Sequence, residues 1–420
     1  LVPEPERYRF QQLRNVEDYL ALTLERRREI SAEQQNPELL SLTRDRLSRL
    51  IHAMEVERAL VEDVLAPITC GLDAQVARSV PSSALPARNI SVLEMYETTF
   101  RDWAWGDAES ERALSLVARL ARAATAGSSS GPREAALGTL AVFGAGACRL
   151  AVDVHRSLGP VATFALDMNP LPLLIAHRVL RGEVVDLYEY PVGARGTDNM
   201  AVLQRLQCRV AVPAGLTLVL ADGRQPPFGP GSLDTVLTPW YIDVVAADVS
   251  ETAATMHRLL RQGGIWLNQG PLRFTGAASG LYCIEEVREL VVASGFEIIA
   301  EITEDQPYFD SPFAGSRRVE TVYSFAAKKV GPAPRVPRAG AGAARAEPSW
   351  MLDATKPIPV LPGLEELQER FVVSAGAISL IDGTRSIVDL AEALGHELGI
   401  EPQKMIEPVR TLLVTLLLGK

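Results

Sequence analysis

The run Gly138-Thr139-Leu140-Ala141-Val142-Phe143-Gly144-Ala145-Gly146-Ala147-Cys148-Arg149 decides how this chain is read. An apolar, strand-forming segment enters a glycine turn, and the turn opens into a helical pattern. Gly144 permits the tight turn and Gly146 lets backbone approach a ligand closely. A carboxylate about twenty residues further on, here Asp167 at the end of the next apolar run, can hold both hydroxyls of a ribose. This is the layout of a nucleotide-type cofactor site. Taken alone, such glycine spacing is a weak signal.

The order of the downstream segments strengthens it. Leu216 to Ala221 reads as another strand ending at Asp222, followed by Pro226-Pro227-Phe228, and Leu233 to Leu237 as a fourth. Met256 to Leu260 reads as a helix end, Gly263-Gly264 as its stop, and Ile265-Trp266-Leu267 as a fifth strand. Phe296 to Ile302 and Val319 to Ala326 suit an antiparallel closing hairpin. Short β-branched runs alternating with helices from Thr139 to about Lys329 predict a doubly wound α/β sheet of Rossmann type, whose ligands sit beyond the carboxyl ends of the strands. Asp167 and Asp222 both fall at such ends, although either could simply be a strand-end turn residue.

On the N-terminal side, Asn15 to about Leu65 is helical in pattern, with Asn15 and Asp18 as an N-cap pair and Leu40, Leu47, Leu50, Ile51, Met54, Val61 and Leu65 at helical spacing. A turn-rich passage around Pro67, Gly71, Pro81 and Pro86 precedes Ser91 to Ala123, read as two helices broken near Gly106. Residues 124–132 form a loop. On the C-terminal side, Gly331 to about Pro359 is rich in Pro, Ala, Gly and Arg and reads as a linker. Beyond it, Phe371-Val372-Val373, Ala377 to Ile381, a helix opened by Ser386 with Asp389 as a capping box, and a last helix from Pro408 to Leu418 suggest a small winged-helix-like domain. The expected divisions are a helical region over 1–130, a cofactor-binding domain over 131–330, a linker over 331–359 and the small module over 360–420.

With 420 residues, 47% of them hydrophobic, the chain can build ordinary packed cores. A formal net charge of −10 disfavours generic attraction to nucleic acid or anionic membrane. Cys70, Cys148, Cys208 and Cys283 lie far apart without CxxC spacing, which indicates neither a zinc knuckle nor a disulfide framework and suits a reducing, cytoplasmic setting. No apolar run reaches bilayer-spanning length, and the first residues are charged and polar, unlike a signal-peptide core. In the C-terminal module acidic residues outnumber basic ones, which argues for protein or peptide contact over DNA, or for a domain that completes a dimer or covers the site.

The arrangement of glycine turn, Asp167 and Asp222 resembles that of S-adenosyl-L-methionine-dependent methyltransferases. Three stretches are further similar to the carnosine N-methyltransferase family, whose members methylate the imidazole of a histidine dipeptide. They are Phe100-Arg101-Asp102-Trp103 with Glu109 to Arg112; Gly144 to Leu150, with Val142 where an acidic residue is usual; and Trp240-Tyr241-Ile242-Asp243 with Gly263 to Leu272. The resemblance covers about Ser91 to Lys329. It implies that Arg101, Gly144, Gly146, Asp167 and Asp222 line the cofactor site and that Asp243 faces the methyl acceptor, unless Asp243 only caps the helix carrying Val249 to Leu260. Ala145, Arg149, Met168, Gly223 and Pro239 complete the candidate cofactor set. Asp243 and Tyr241 are the candidate catalytic pair. Tyr190, Arg273, Thr275, Tyr308 and Arg317 join Asp243 as candidate acceptor-binding residues, and no metal is expected.

The resemblance thins on the acceptor side. Tyr190-Pro191 is kept, but the His-Gln pair that comes next in the family is replaced by Val192 to Asn199. Thr275 stands where the family has histidine, and Arg317-Arg318-Val319-Glu320 meets its tyrosine cluster. Arg273, Arg317 and Arg318 could hold a carboxylate or phosphate or line a solvated hairpin face; Tyr308 and Phe309 could stack on a flat acceptor or pack inward. Ile378 to Ile387, with Leu390-Ala391, looks like the PqqD-like peptide-binding domains of peptide maturation enzymes, which implies a leader peptide added as an extra strand. Three functions are compatible with these residues: an N-methyltransferase for an imidazole or related amine of a histidine-like small molecule or peptide; a natural-product or peptide-maturation methyltransferase, on nitrogen or oxygen, fed by the C-terminal module; and a non-catalytic cofactor-binding scaffold, kept because Cys148 replaces the third glycine. Homodimerisation stays open.

Overall fold

The structure is a computed structural model that describes residues 24, 26–69, 97–126, 137–212, 214–245, 247–275, 278–332, 355, 380–398 and 401–418. In the first of its two units, reaching Arg273 and resuming at Tyr282, a seven-stranded sheet has β1 (Thr139–Phe143) near its centre. Leu140 to Phe143 are all fully buried, as a strand covered on both faces requires. β1 lies parallel to β2 (Ala162–Asp167) on one side and to β6 (Leu233–Pro239) on the other. β5 (Leu216–Leu220) extends the sheet beyond β2, and β7 (Leu260–Gly270) extends it beyond β6. The antiparallel pair β9 (Val319–Lys329) and β8 (Phe296–Pro307) closes it, giving the order β5-β2-β1-β6-β7-β9-β8. The doubly wound sheet and its closing hairpin are as expected. The order reverses between β1 and β6, and in a sheet of this kind ligands bind at that switch point, beyond the strand ends.

Helices cover both faces. On one, α2 (Asp107–Thr125) and α3 (Arg149–Leu158) pack through Val117, Leu120, Ala151 and Val154 against Leu140, Val142, Leu237, Leu267 and Ala326. On the other, Trp266 meets Phe325 and Phe296 at 5.0 and 5.3 Å between ring centroids. Other helices of this unit include α1 (Ser41–Thr69), preceded by helical residues 26–34, α4 (Pro170–Leu180), α5 (Val249–Leu259) and α6 (Ile284–Ala293). A π-turn at Arg101–Trp105 immediately precedes α2.

Three features differ from the sequence expectation. Gly263 and Gly264 do not stop a helix: α5 ends at Leu259 and β7 begins at Leu260, so both glycines lie inside the strand beside a register shift. Val185 and Leu187 alternate with outward residues in β3 (Val185–Glu189), which pairs with β4 (Val202–Leu206) as a separate two-stranded sheet not foreseen. The helical preface breaks around residues 35–40, where Asn36 and the turn after it interrupt the hydrogen-bond ladder. Asn15 and Asp18 lie outside the described residues.

The second unit comprises, among described residues, Phe274, Thr275, residues 278–281 and the chain from 355 onward. Its helices α7 (Ile387–Leu398) and α8 (Pro402–Leu418) share a core of Ile387, Leu390, Ala391, Val409 and Leu413. The Ser386–Asp389 capping box is formed, the Asp389 carboxylate accepting from the Ser386 N–H and hydroxyl at 2.7 Å each. The last helix starts at Pro402, not Pro408. Proline at its first position costs no hydrogen bond, whereas Pro408 inside it removes one. Residues 371–379 and most of the linker lie outside the described residues, while Leu380 and Ile381 are described and lie in no strand. Among these residues no helix is long and apolar enough to cross a membrane.

One buried acid ties α1 to β3. Glu57, 1% exposed, accepts the Tyr188 N–H at 2.7 Å through Oε2, while Oε1 has no partner among the described residues. Burial, opposed by that N–H, pushes its carboxyl up to about 8 from 4.5. Between those values the folded state keeps a proton that the unfolded chain has released, so stability falls as pH rises through that window. Denaturant titrations from pH 5 to 8 should show this decline, and Glu57→Gln should remove up to about 1.4 kcal/mol per pH unit of the slope. Identical slopes in both proteins would contradict the assignment.

Candidate functional site

The crevice at the switch point is built first by backbone. Gly144, Gly146 and Cys148 take left-handed conformations, with φ of +67°, +55° and +69°. The first two suit glycine; Cys148, fully buried, carries the strain the third glycine would have spared. The Ala145 N–H donates to the Leu166 carbonyl at 3.0 Å, pinning the turn to the end of β2. Asp167, 5% exposed, is the last residue of that strand. Its Oδ2 accepts the Gly146 N–H and its Oδ1 the Asn169 N–H, both at 2.8 Å. Asn169 in turn caps α4, its side chain accepting from the Leu171 N–H ahead of Pro170 at the first helical position. Burial raises the Asp167 carboxyl to about 6 against the backbone N–H groups of Asn169, Gly146 and Met168.

Asp222 lies just beyond β5 in a different state. Its carboxylate takes the Arg224 guanidinium through both oxygens at 2.7 to 3.1 Å and also accepts the Arg224 N–H at 2.8 Å. Burial works to raise this carboxyl, but Arg224 outweighs it and holds the group below its ordinary value. Gly223 is required by packing, since a Cβ there would collide with the Tyr241 hydroxyl. The same tyrosine lies 3.0 Å from where a Cβ on Gly144 would stand, and its ring meets Phe143 edge-on at 5.8 Å. Tyr241 therefore walls the crevice between the two glycines.

Asp243, two residues on, belongs to the other side. Pro239 ends β6, and Trp240 comes next at φ +51°, its N–H donating to the Gln269 carbonyl at 2.6 Å. Asp243 does not cap α5; Asp248 does, accepting the Ser250 N–H at 2.8 Å. Oδ2 of Asp243 accepts the Arg273 N–H at 3.1 Å, while Oδ1 is buried and has no partner among the described residues. Burial raises this carboxyl above its ordinary value, against that Arg273 N–H. Trp240 stacks on Tyr308 at 3.9 Å and 14°, and Tyr308 meets Phe309, itself at φ +52°. Arg318 and Arg101 cover Tyr308 and Phe309 at 4.8 and 5.3 Å. Burial lifts the Tyr308 hydroxyl to about 12, the charge of Arg101 opposing and that of Asp243 assisting.

The candidate residues do not all converge. Tyr241 and Asp243, expected as a pair, face opposite sides. Arg149 is tied down by Asp107 and Asp153 at 2.9 and 2.8 Å and binds the π-turn through the Asp102 carbonyl, so its cation serves the fold. Arg101 is held on Asp102 at 2.7 Å. Arg273 pairs with Glu320, and Arg318 bonds the same carboxylate. Arg317, 68% exposed, only faces Asp310 at 3.4 Å. The Tyr190 segment continues into a loop joined to the hairpin loop by Arg195 N–H to the Phe313 carbonyl at 3.1 Å and by Arg195 Nε to the Ala314 carbonyl at 2.7 Å. Thr275 falls in the second unit. Trp240, Glu109, which accepts the N–H groups of Phe309 and Asp310, and Glu320 were not singled out for a role from sequence. Left-handed backbone at non-glycine residues leaves no mark in a sequence.

These residues fit a methionine-derived adenosine cofactor. The two left-handed glycines leave backbone open to a close ligand. The Asp167 carboxylate, engaged by the backbone N–H groups of Asn169, Gly146 and Met168, keeps acceptor capacity for a ribose hydroxyl, and Asp222 is fixed just beyond the next strand end. Asp167→Ala should weaken S-adenosylhomocysteine binding by on the order of 1 kcal/mol or more in calorimetry. In the unaltered protein affinity should fall as pH drops through about 6, where Asp167 takes up a proton. Unchanged affinity in the variant would contradict the assignment.

The family model described as a methyltransferase domain matches residues 144–267. No curated protein matches the chain. Among solved structures, a phosphoethanolamine N-methyltransferase 2 from Haemonchus contortus, in complex with phosphomonomethylethanolamine and S-adenosylhomocysteine, is 15% identical with a TM-score of 0.35, covering 57% of each chain. The N-methyltransferase NodS of Bradyrhizobium japonicum is 11% identical with a TM-score of 0.34, over 54% of this chain and 99% of its own. At this level of similarity nothing about the acceptor can be carried over from them. With the family match lying on the glycine turn, both strand-end carboxylates and strands β2, β5 and β6, the chain carries an S-adenosylmethionine-dependent methyltransferase domain.

Proposed function

We propose that this enzyme methylates a nitrogen of an imidazole or related amine in a histidine-like small molecule or peptide. The carrying observation is Asp243, whose one oxygen is fixed by the Arg273 N–H while the other is buried without a partner among the described residues. A buried carboxylate oxygen left in that state is costly unless a ligand donates to it. The cofactor supplies a methyl group already activated on a sulfonium. What the protein must add is alignment of the nucleophile and a destination for its proton, more than acid-base force. Asp243 is suited to both tasks: it can orient the tautomer of an azole ring by accepting its N–H, and it can take up the proton released when the ring nitrogen is alkylated. The stacked Trp240, Tyr308 and Phe309 offer a flat surface beside it, and strained backbone at two of the three is typical of positions kept for binding.

Asp243→Asn keeps the shape but loses the proton acceptor. It should lower transfer to a histidine-containing acceptor by on the order of a hundredfold or more, while calorimetric affinity for S-adenosylhomocysteine stays within about twofold of the unaltered protein. A fully active variant would make Asp243 structural.

A second reading has the C-terminal unit recruit a peptide substrate by strand addition, as a PqqD-like module would. Its support is that α7 and α8 enclose a core of their own. Truncation after Pro332 separates the readings. Activity on a small acceptor should survive; selective loss of activity on leader-bearing peptides would favour recruitment, and equal activity on both would remove it.

A further inference from the structure

One pleat beyond the apolar core, on the α2 face of the sheet, lies a row that is not apolar. Val142 pairs with Leu237, Leu237 with Leu267, and Leu267 with Ala326, and all four belong to the core beneath α2. Two residues toward the carboxyl ends of the parallel strands, on the same face, come Gly144, Pro239, Gln269 and Ser324. With neighbouring strands about 4.8 Å apart, Gln269 stands roughly 10 Å and Ser324 roughly 14 Å from the cofactor glycine. Both are 0% exposed. The amide nitrogen and oxygen of Gln269 and the hydroxyl of Ser324 have no hydrogen-bond partner among the described residues.

The opposite face of the same strands shows that this is not a general laxity. There Trp266 Nε1 donates to the Thr238 hydroxyl at 2.9 Å, that hydroxyl donates to Asn268 Oδ1 at 2.8 Å, and Asn268 Nδ2 donates to the Tyr323 carbonyl at 3.4 Å. One face is satisfied internally and the other is left with both a donor and acceptors buried and idle. The row also borders the acceptor side of the site: the Gln269 carbonyl holds Trp240, and Glu320, four residues before Ser324 on the same face of β9, holds Arg273, whose N–H holds Asp243. Gln269 and Ser324 carry no charge and leave both a donor and acceptors idle, so the group that matches them is neutral and must donate and accept at once. A carboxamide of peptide type has that chemistry.

We propose that Gln269 and Ser324 are specificity-determining residues that receive a carboxamide of the methyl acceptor while its nucleophilic nitrogen lies at Asp243. The location rests on the acceptor site proposed above. The test is calorimetry on the full chain loaded with S-adenosylhomocysteine, using N-acetylhistidine N-methylamide, 4-methylimidazole and N-acetylalanine N-methylamide. The first should bind about tenfold or more tighter than 4-methylimidazole. Gln269→Leu should erase that preference while cofactor affinity holds and the melting temperature stays level or rises, since an idle polar group has been removed. Ser324→Ala carries the same comparison where Gln269→Leu does not fold. If N-acetylalanine N-methylamide binds and Gln269→Leu abolishes it while 4-methylimidazole does not bind, the pair stands and the imidazole reading falls. If 4-methylimidazole binds as well as the amide-bearing probe, the imidazole reading stands and the pair falls. Binding of no probe, a preference unchanged in the variant, or a crystal structure with only ordered waters on Gln269 and Ser324 in the presence of the first probe would overturn the proposal.

Discussion

The bond from the Gly146 N–H to the Asp167 carboxylate is the constraint on which the rest of the site depends. It joins the turn after β1 to the end of β2, in a place where neither partner has water to fall back on. Without it, a buried N–H and a buried carboxylate would each lose a partner, at a cost of about 1–3 kcal/mol apiece. The same carboxylate organises the entry to α4 through the Asn169 N–H. Two strand-helix junctions are thereby locked to one side chain, and burial lifts that side chain to about 6, close to where it would respond to its ligand.

A second constraint divides the site into two compartments. Between β6 and α5 the chain passes through Trp240 in a left-handed conformation, which sends Tyr241 toward Gly144 and Gly223 and leaves Asp243 beside Arg273. Residues two apart thus face different surroundings. The tyrosine borders Gly144 and Gly223, and the aspartate carries an oxygen that has no partner among the described residues. Trp240 is itself held by the Gln269 carbonyl and by stacking on Tyr308, so β7 and the closing hairpin fix the geometry at β6.

Much of the sheet was legible because its signals are local. Gly144, Gly146 and Asp167 come from turn sterics and from the spacing of one strand-helix-strand unit, and Asp222 from the next strand end. Other features were out of reach for definite reasons. The hairpin of β3 and β4 did alternate in sequence, with Val185 and Leu187 inward, but it forms off the main sheet and so broke the expected alternation of strand and helix. Gly263 and Gly264 read as a helix stop since a glycine bulge inside a strand uses the same residues. The pairing of Asp222 with Arg224 and the binding of Arg149 by Asp107 and Asp153 depend on where side chains meet, which spacing does not encode. Gln269 looked like one polar residue in a motif; only the register with Ser324, and the lack of a partner on either among the described residues, give it meaning.

Every role assigned to these residues requires that the crevice between β1 and β6 accept a methionine-derived adenosine. The most direct measurement is a calorimetric titration of the full chain with S-adenosylmethionine, S-adenosylhomocysteine, ATP and NAD in parallel. Saturable binding of the first two at one site per chain, and none of the others, is the predicted result. Binding of ATP or NAD in preference, or no heat from either sulfur-containing ligand, would contradict it.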